Sequence, residues 1–480
     1  MRRWLCALLA AALLCSLIPS VGCAADEPPR DTYVIEAAYE EGVLTASMLC
    51  TFHNRTGEEL AHVDFNLYGN AYRADAQYKP VSAAYAARAY YNGESEGGMD
   101  ILSVQPCGGW EVCGEDENIL RVHLAEPLPA GEQVELTVGY RLRLAEVEHR
   151  TGVARSAVNL GNFYPVLCVY EPGGGFYECV YSAVGDPFYS ACADYEVTIS
   201  MPASFTAAAS GEPVSAGVEN GVRRCTYRLE NARDFALVLG TSFTVLQGEA
   251  AGVSLRYYCY DDGDAEGTLR LLEECFTFFS DTFGRYPYGS YSAVQTGFCY
   301  GGMEYPGLVF LSDSLAGADY AYTAVHETAH QWWYAAVGSD QTRAAWMDEG
   351  LAEYSSLLYF ESAPACGFTR EGLVASARRA LGAYCTVQQQ LFGGADAAMT
   401  RPLADFSGEL AYVCLTYDKG LLLFDAVRGA LGERRFLSGL RRYYARFCGK
   451  LASPADLAAS FSSAAAEGII ASFADGSAVV

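Results

Sequence analysis

The chain has 480 residues, a formal net charge of −26 at pH 7 and a hydrophobic fraction of 51%. This hydrophobic content, with 13% aromatic residues, excludes an intrinsically disordered chain. The acidity argues against a nucleic-acid partner, because phosphate binding depends on clustered lysine and arginine. A chain of this length accommodates two or three domains, each with a core of its own.

The N-terminus has the pattern of an export signal. A basic segment at residues 2–3 is followed by an apolar run from Leu5 to Ile18, which is shorter than the roughly 20 residues of a membrane-spanning helix. Residues 20–23 are similar to a bacterial lipoprotein signal box, although the first of them is serine rather than the usual leucine. We therefore expect removal of residues 1–22, a lipid anchor on Cys23 and a location at the cell surface. Ordinary secretion is the alternative.

An exported protein can form disulfide bonds, and the chain has 17 cysteines. Cys107 and Cys113 are close enough in sequence to pair, but connectivity cannot be read from sequence alone. No C-x-x-C pair occurs, so the sequence does not support a zinc finger held by cysteines.

Residues 23–247 are predicted to form a β-rich N-terminal domain. The segments Val134–Val138 and Tyr195–Ile199 alternate apolar and polar side chains, and Leu44–Phe52 alternates roughly. Such period-two patterns, separated by turn residues, are typical of antiparallel sheets. The glycine run at residues 173–175 lacks the lysine and the following helix pattern of a phosphate loop, so it is interpreted as a connection.

Residues 248–480 are predicted to form a mostly helical domain with a small sheet. Apolar side chains first recur at helical spacing, at Leu269, Leu272, Phe276, Phe279 and Phe283. Gly284 then ends the predicted helix. Short strands are predicted around Ser292–Thr296 and Leu308–Leu311, and helices dominate the remainder. The fold class that follows is α+β, with an antiparallel β domain before a mostly helical one.

The pattern that carries most chemistry is H-E-x-x-H, formed by His326, Glu327 and His330. Positions i and i+4 of a helix share a face, so both imidazoles can bind one metal ion. Glu327 follows the first histidine and can face a water on that metal. The spacing therefore predicts a zinc site with its general base. A core helix with two coincidental histidines is the alternative.

A catalytic zinc site needs a third protein ligand and one open position. Glu349 lies 19 residues beyond His330, which leaves room for a loop and a second helix. Glu353 stands at i+4 from Glu349, on the same helical face, where it can accept the outer N–H of a ligand histidine. A solvated helix carboxylate is the alternative interpretation of Glu353.

These residues resemble the gluzincin zinc metallopeptidases, in the family of membrane alanyl aminopeptidases that includes leukotriene A hydrolase. The family pattern is H-E-x-x-H, eighteen residues and a glutamate, and His326, Glu327, His330 and Glu349 stand at that spacing. Asp348 occupies a position where asparagine is usual. The resemblance implies one zinc ion per chain, a saddle-like β domain at the N-terminus and a thermolysin-like catalytic domain at residues 248–480.

A second motif precedes the zinc helix. Residues Gly301–Gly307 resemble the family's G-x-M-E-N segment, with Tyr305 in place of asparagine. The resemblance implies that Gly302, Met303 and Glu304 bind substrate, and that Glu304 binds its free α-amine. A turn with an exposed glutamate is the alternative.

A third motif follows the zinc ligands. Residues Thr416–Gly420 are similar to the family's S-Y-x-K-G segment, which implies that Tyr417 stabilises the developing oxyanion. A tyrosine packed in the core is the alternative. Many members also carry an acidic residue where Ser356 stands here, and this departure favours Glu353 as a substitute.

The resemblance implies a zinc aminopeptidase that hydrolyses the N-terminal bond of peptides with a free amine. An endopeptidase with the same zinc core is the nearest alternative. A lipid-epoxide hydrolase and a surface binding protein on an inactive peptidase scaffold are the others. Larger family members continue into a small β domain and a helical domain, and we expect neither here, so the cleft should be less enclosed.

Overall fold

The computed structural model describes residues 29–363 and 367–478. The predicted signal at residues 1–22 and the predicted lipid attachment site at Cys23 lie outside these ranges. Among the described residues, no helix combines the length and the apolar character needed to cross a membrane.

The N-terminal region is built from strands, as its alternating patterns predict. Its elements are β1 (Asp31–Glu40), β2 (Val43–His53), β3 (Leu60–Asn66), a 3-10 helix (Tyr68–Tyr72), α1 (Ala86–Ala89), β4 (Gly98–Gln105), β5 (Gly109–Cys113), β6 (Ile119–Leu128), β7 (Gln133–Arg143), β8 (Thr151–Val153), β9 (Ala157–Leu160), β10 (Val166–Leu167), β11 (Tyr170–Glu171), β12 (Gly175–Phe176), β13 (Ala193–Pro202), β14 (Thr206–Ala209), β15 (Glu212–Glu219), β16 (Val222–Ala232) and β17 (Leu237–Gly240). In β1, every second side chain from Tyr33 to Tyr39 is buried.

Within the described ranges, the largest sheet has seven strands in the order β15-β16-β13-β1-β2-β7-β4. All neighbours in it are antiparallel except β1 and β13, which run parallel with Asp31 opposite Ala193. Smaller sheets, β10-β3-β6-β5 and β14-β17-β9-β8, pack against the same core. The predicted β domain of mainly antiparallel sheets is confirmed.

The second region is mostly helical with one small sheet. Its elements are β18 (Thr244–Ala250), β19 (Val253–Cys259), α2 (Ala265–Phe283), β20 (Ser290–Thr296), β21 (Gly302–Met303), β22 (Leu308–Ser312), α3 (Gly317–Ala329), β23 (Val337–Gly338), α4 (Gln341–Ala344), α5 (Trp346–Ser362), α6 (Arg370–Phe392), a 3-10 helix (Leu403–Asp405), α7 (Glu409–Val413), a π-helical turn (Cys414–Asp418), α8 (Lys419–Leu431), α9 (Glu433–Phe447), β24 (Lys450–Leu451), α10 (Pro454–Ser460) and α11 (Ala464–Ala474).

The helix that the apolar spacing predicts is α2. The Asp264 side chain accepts a hydrogen bond from the Gly267 N–H and caps its start, and the helix ends before Gly284. The predicted short strands are β20 and β22, in a sheet of order β18-β19-β20-β22-β21. Strand β18 runs across residue 247 and pairs with β19. The domain boundary at that residue stays a prediction.

The described cysteines are all free, including Cys107 and Cys113. The pairing that their sequence spacing allows is therefore not formed. Cys107 precedes β5 and Cys113 ends it, so the length of an extended strand, at about 3.3 Å per residue, separates the two sulfurs.

A buried polar network joins the two regions. The Tyr305 hydroxyl donates to Asn162 Oδ1 at 3.2 Å, and Asn162 Nδ2 donates to Asp234 Oδ2 at 2.6 Å. Asp234 Oδ1 also accepts hydrogen bonds from the Tyr164 hydroxyl and the Phe235 N–H. Burial raises the pKa of Asp234 to about 7, and these hydrogen bonds only partly oppose the effect.

Replacing Asp234 by asparagine should change how stability depends on pH. A folded-state pKa of about 7 lies above the unfolded value, so the folded protein holds this proton more tightly. That contribution is complete near pH 4 and is lost as the pH rises towards 7. Between about pH 5 and pH 8, the unfolding free energy of Asp234→Asn should rise by about 2.5 kcal/mol relative to wild type. Denaturant unfolding of both proteins at pH 5 and at pH 8 measures this change. The prediction is wrong if the variant differs from wild type by the same unfolding free energy at both pH values.

An arginine also ties the two regions together. Arg233 follows β16 and is buried, and its guanidinium donates to second-region backbone carbonyls at Tyr334, Ala335, Ala336 and Lys450. A Cβ atom on Gly338 would lie 1.9 Å from the Arg233 guanidinium, so only glycine leaves room for it. The N-terminal region therefore holds the segment that follows the histidine pair.

Candidate active site

Two packed helices present the predicted metal ligands. Helix α3 carries His326, and His330 follows its last residue with its N–H bonded to the His326 carbonyl at 3.3 Å. Helix α5 packs against α3 and carries Glu349 in its first turn and Glu353 one turn later. His326, His330 and Glu349 are buried, because the apolar faces of both helices enter the core.

The three predicted ligands meet at one point. His326 Nε2 lies 3.0 Å from His330 Nε2, and each lies 3.2 Å from Glu349 Oε2. Ligand atoms about 2.0–2.1 Å from a tetrahedral zinc ion are about 3.3–3.4 Å apart. The donor set of two imidazoles and one carboxylate, at this separation, fits a zinc ion.

The outer ring nitrogens of the two histidines are also occupied. His326 Nδ1 lies 2.9 Å from Glu353 Oε2, and His330 Nδ1 lies 3.0 Å from the Trp333 carbonyl oxygen. Both acceptors favour a proton on Nδ1, which leaves each Nε2 lone pair for the metal. The structure thus puts Glu353 beside His326, in the position that its helical spacing predicts.

Glu327 has the environment of a general base. Its side chain is buried, and its Oε2 has no hydrogen-bond partner among the described residues. A Cβ atom on Gly302 would lie 2.4 Å from Glu327 Oε1, so the glycine allows β21 to approach this carboxylate. Burial raises the pKa of Glu327 to about 7, against the opposing charges of His326 and His330. A free carboxylate oxygen beside a metal triad can take a proton from water.

Glu304 lies at the His330 end of the zinc helix. It is 4% exposed, and burial and then the charge of Asp186 raise its pKa. Its Oε1 accepts a hydrogen bond from Gln341 Nε2 at 2.9 Å, and Gln341 donates to Asp348 Oδ2 at 2.7 Å as well. The predicted amine-binding residue is therefore held from α4 rather than exposed on a turn.

The N-terminal region supplies two charged groups that the sequence patterns do not reveal. Arg150 Nε and Nη2 donate to Asp186 Oδ1 at 3.1 and 2.5 Å, and both residues are buried. Arg150 Nε also lies 3.3 Å from the sulfur of Met303. Asp186 faces the same cleft as Glu304. No motif or periodic pattern surrounds either residue, so the sequence offers no signal for them.

Tyr417 enters the site from an irregular helical turn. It lies in the π-helical turn between α7 and α8, a feature that is frequent at functional sites. Its hydroxyl donates to Glu349 Oε1 at 2.5 Å, and its ring stacks on His326 with centroids 5.8 Å apart. The neighbouring Lys419 is buried and donates to two backbone carbonyls, so it anchors this turn.

All these groups surround one cleft of about 420 Å³. The predicted site residues that line it are Gly302, Glu304, His326, Glu327, His330, Glu349, Glu353 and Tyr417. Met303 is buried beside it against Arg150. A metal triad, a buried base, a phenol and a pair of carboxylates at one end together suit hydrolysis of a bond near a cationic group.

Comparison with known proteins identifies the second region. Residues 268–476 match the profile of the peptidase family M1 domain. Aminopeptidase O from Mus musculus is 25% identical over 215 residues, which are 40% of this chain and 26% of that protein. Aminopeptidase N from Streptomyces lividans is 25% identical over 234 residues, which are 44% of this chain and 26% of that protein. The chain thus spans about a quarter of the length of these curated relatives.

Solved structures match over nearly the whole chain. The crystal structure of the M1 zinc metallopeptidase from Deinococcus radiodurans superimposes with a TM-score of 0.66 at 19% identity. The match covers 94% of this chain and 95% of that one. At this identity the likeness concerns the fold, which is the predicted order of a β domain and a mostly helical domain.

Proposed function

Residues 268–476 match the peptidase family M1 domain and include a ligand set that fits zinc, and from this premise we propose that the protein is an aminopeptidase. The observation that carries the proposal is the pair of buried carboxylates, Glu304 and Asp186, beside the metal triad. Two carboxylates at one end of the cleft match the ammonium group of a peptide N-terminus. The substrate of an endopeptidase brings no free ammonium group to this end of the cleft.

Zinc is held in this proposal by His326, His330 and Glu349. A zinc ion held there would act as a Lewis acid that polarises the substrate carbonyl and lowers the pKa of water to about 7. Glu353 and the Trp333 carbonyl keep the two imidazoles in the orientation that binding requires.

The chain's own residues perform the remaining steps. Glu304 and Asp186 hold the substrate ammonium, which sets the first peptide bond against the reacting groups. Glu327 Oε2, which has no partner among the described residues, takes a proton from the attacking water and passes it to the leaving amine. The Tyr417 hydroxyl turns from Glu349 to the substrate oxygen as negative charge develops there.

Two matched substrates separate an aminopeptidase from an endopeptidase. A fluorogenic peptide with a free N-terminus should be cleaved at its first bond, while its N-acetylated twin should resist, because acetylation removes the ammonium. A chelator should stop the reaction and added zinc should restore it. Equal cleavage of both twins would favour the endopeptidase. Absence of cleavage by the zinc-loaded protein would favour the binding-protein alternative. The presence of Glu327 argues against that alternative, because an inactive scaffold has no chemical need for a general base.

Replacing Tyr417 by phenylalanine should lower kcat by about a hundredfold. The hydroxyl is a neutral donor that already contacts Glu349 of the triad, and one such donor to an oxyanion contributes about 3 kcal/mol. Zinc content should stay unchanged because Tyr417 is not a ligand. Steady-state kinetics with metal analysis measures both effects. Wild-type turnover in this variant would remove Tyr417 from the mechanism.

Related proteins bind the ligands that this proposal requires. A mutant of the Deinococcus radiodurans metallopeptidase, with a TM-score of 0.64 and 20% identity, was crystallised with a Tyr-Ser-Ala substrate. A short peptide with a free amine is the class of substrate that we propose here.

We also propose that the protein is exported and anchored to the membrane by a lipid on Cys23. The support is the sequence of residues 2–23, with its basic start, apolar run and terminal Val-Gly-Cys. Labelling cells with a radioactive fatty acid should mark the wild type and leave Cys23→Ser unlabelled. Release of unlabelled wild-type protein into the medium would instead indicate ordinary secretion.

A further inference from the structure

His149 lies behind the cleft and takes no part in the proposed chemistry. It precedes Arg150 in the connection between β7 and β8, is fully buried and does not line the cleft. Its Nε2 lies 3.0 Å from Arg150 Nη1, and its Nδ1 lies 2.6 Å from the Tyr72 hydroxyl. His149 thus joins Arg150, the partner of Asp186, to a tyrosine of the N-terminal region.

The hydrogen-bond partners fix the tautomer of His149. A guanidinium carries only N–H donors, so Nε2 must accept from Arg150 Nη1 and carries no proton. The ring proton is therefore on Nδ1, which donates to the Tyr72 oxygen. The Thr151 N–H donates to the same oxygen at 3.3 Å. Burial, and then the charge of Arg150, lower the pKa of His149 well below its usual value, so the imidazole stays neutral near pH 7.

The His149 ring is also held by its neighbours. It stacks on Phe298 with centroids 6.0 Å apart and an angle of 29° between the planes, and it meets the Tyr300 ring edge-on at 5.6 Å. Its backbone carbonyl accepts a hydrogen bond from Asn159 Nδ2 at 2.8 Å. Because both the ring and its backbone are held, Nε2 is a fixed acceptor that sets the direction of the Arg150 guanidinium.

The direction of that guanidinium decides which oxygen of Asp186 is occupied. Arg150 Nε and Nη2 both donate to Asp186 Oδ1, and Nη2 also donates to the Gly185 carbonyl at 3.1 Å. Asp186 Oδ2 receives no hydrogen bond from Arg150 in this arrangement. In the bidentate pairing that arginine and carboxylate often form, both oxygens would be occupied. The observed orientation therefore leaves one oxygen of Asp186 for a ligand.

We propose that His149 is a positioning residue, which holds Arg150 so that Asp186 Oδ2 stays open to the ammonium group of the substrate. The inference rests on the proposed aminopeptidase function and adds to it a residue outside the cleft. Without an acceptor at the Nε2 position, the buried Nη1 of Arg150 would lose its imidazole partner. The guanidinium would then turn towards the second oxygen of Asp186 and compete there with the ammonium group.

Two replacements of His149 separate the roles of its two nitrogens. Asparagine keeps a donor at the Nδ1 position and has no atom at the Nε2 position, whereas the amide oxygen of glutamine reaches the Nε2 position. The probes are leucine hydroxamate and its analogue without the α-amine, since both bind zinc and only the first carries an ammonium group. Titration calorimetry with the zinc-loaded full chain measures both affinities without requiring turnover.

The wild type should bind the amine-bearing hydroxamate more tightly than its analogue. In His149→Asn this preference should fall about tenfold, the effect of one hydrogen bond to a charged group, while the affinity for the analogue stays within about twofold. His149→Gln should keep the preference within about twofold of wild type. His123→Asn, a histidine change at an exposed position on β6 outside the cleft, should match wild type for both probes.

The possible failures are distinguishable. An unchanged preference in His149→Asn, or an equal loss of preference in His149→Gln, would overturn the positioning role and leave the ammonium site intact. Equal weakening of both probes in His149→Asn would also overturn it, in favour of a purely structural role. Absence of any preference in the wild type would overturn the ammonium site and this inference with it.

A second variant covers the case in which His149→Asn does not fold. Tyr72→Phe removes the oxygen that keeps the ring proton on Nδ1, so Nε2 can carry a proton and no longer accept from Arg150. The preference for the amine-bearing hydroxamate should fall in this variant as well, with the affinity for the analogue unchanged. A wild-type preference in Tyr72→Phe would overturn the proposal.

Discussion

Replacing Glu327 by glutamine should leave a folded, zinc-loaded protein whose kcat is about a thousandfold lower. The amide has nearly the same size and remains buried against Gly302, so the helix and the ligand triad should stay in place. It cannot take a proton from water, which is the step that the free Oε2 performs in the proposed mechanism. Turnover of a free-amine fluorogenic substrate, with metal analysis of the same sample, measures the effect.

A matched change outside the cleft completes this test. Glu371→Gln removes the same charge from an exposed position on α6 and should have wild-type turnover. Wild-type turnover in Glu327→Gln would exclude Glu327 as the base and with it the whole catalytic assignment. Loss of zinc from Glu327→Gln would instead give this residue a structural role.

Replacing Arg150 by methionine should lower the free energy of unfolding by about 3–5 kcal/mol, the usual cost of breaking a buried ion pair on one side. The change leaves Asp186 without its guanidinium partner, buried near the carboxylates of Glu304 and Glu349. Methionine keeps much of the apolar stem that packs between Phe188 and Tyr300. The decrease in the free energy of unfolding therefore comes mainly from the lost charge and not from lost side-chain volume.

A double-mutant cycle separates these effects. Arg150→Met combined with Asp186→Asn removes both charges and should recover most of the lost stability. The double variant should still bind free-amine substrates poorly, because half of the proposed ammonium site is gone. Denaturant unfolding of all four proteins gives the coupling energy. A loss below about 1 kcal/mol in Arg150→Met would show that solvent, and not Arg150, compensates Asp186.

The zinc site could be predicted because its information is local. His326 and His330 are one helical turn apart, and Glu349 and Glu353 repeat that spacing on a second helix, so helix geometry alone aligns each pair. Glu304 and Tyr417 lie in short segments with recognisable neighbours. Chemistry that depends on few adjacent residues leaves a pattern in the sequence.

The rest of the site depends on contacts between distant segments. Arg150 and Asp186 belong to irregular connections of the N-terminal region, which have no period to indicate which way a side chain points. Gln341 begins a helix of four residues, too short to produce a helical pattern. Such groups reach the cleft only because the two regions pack together, and sequence spacing does not encode that packing.

The sequence predicts the strands of the sheets but not how the strands pair. Alternation in Val134–Val138 and Tyr195–Ile199 predicts half-buried strands, and both segments are strands in the structure. The parallel pairing of β1 with β13 could not be predicted, because period-two alternation is the same in parallel and antiparallel neighbours. Partner and direction are decided by the chain's path over some 160 residues between Asp31 and Ala193.

The contacts of Arg233 have a consequence for the order in which activity appears during synthesis. The N-terminal region is made first, and domains generally fold as units, the N-terminal one before those that follow. Arg233 and Asp186 are then already in place when the segment containing His330 and Tyr334 arrives, and that segment completes its hydrogen bonds only by docking on Arg233. The proposed peptidase site is therefore complete only after both regions have been made and have packed together.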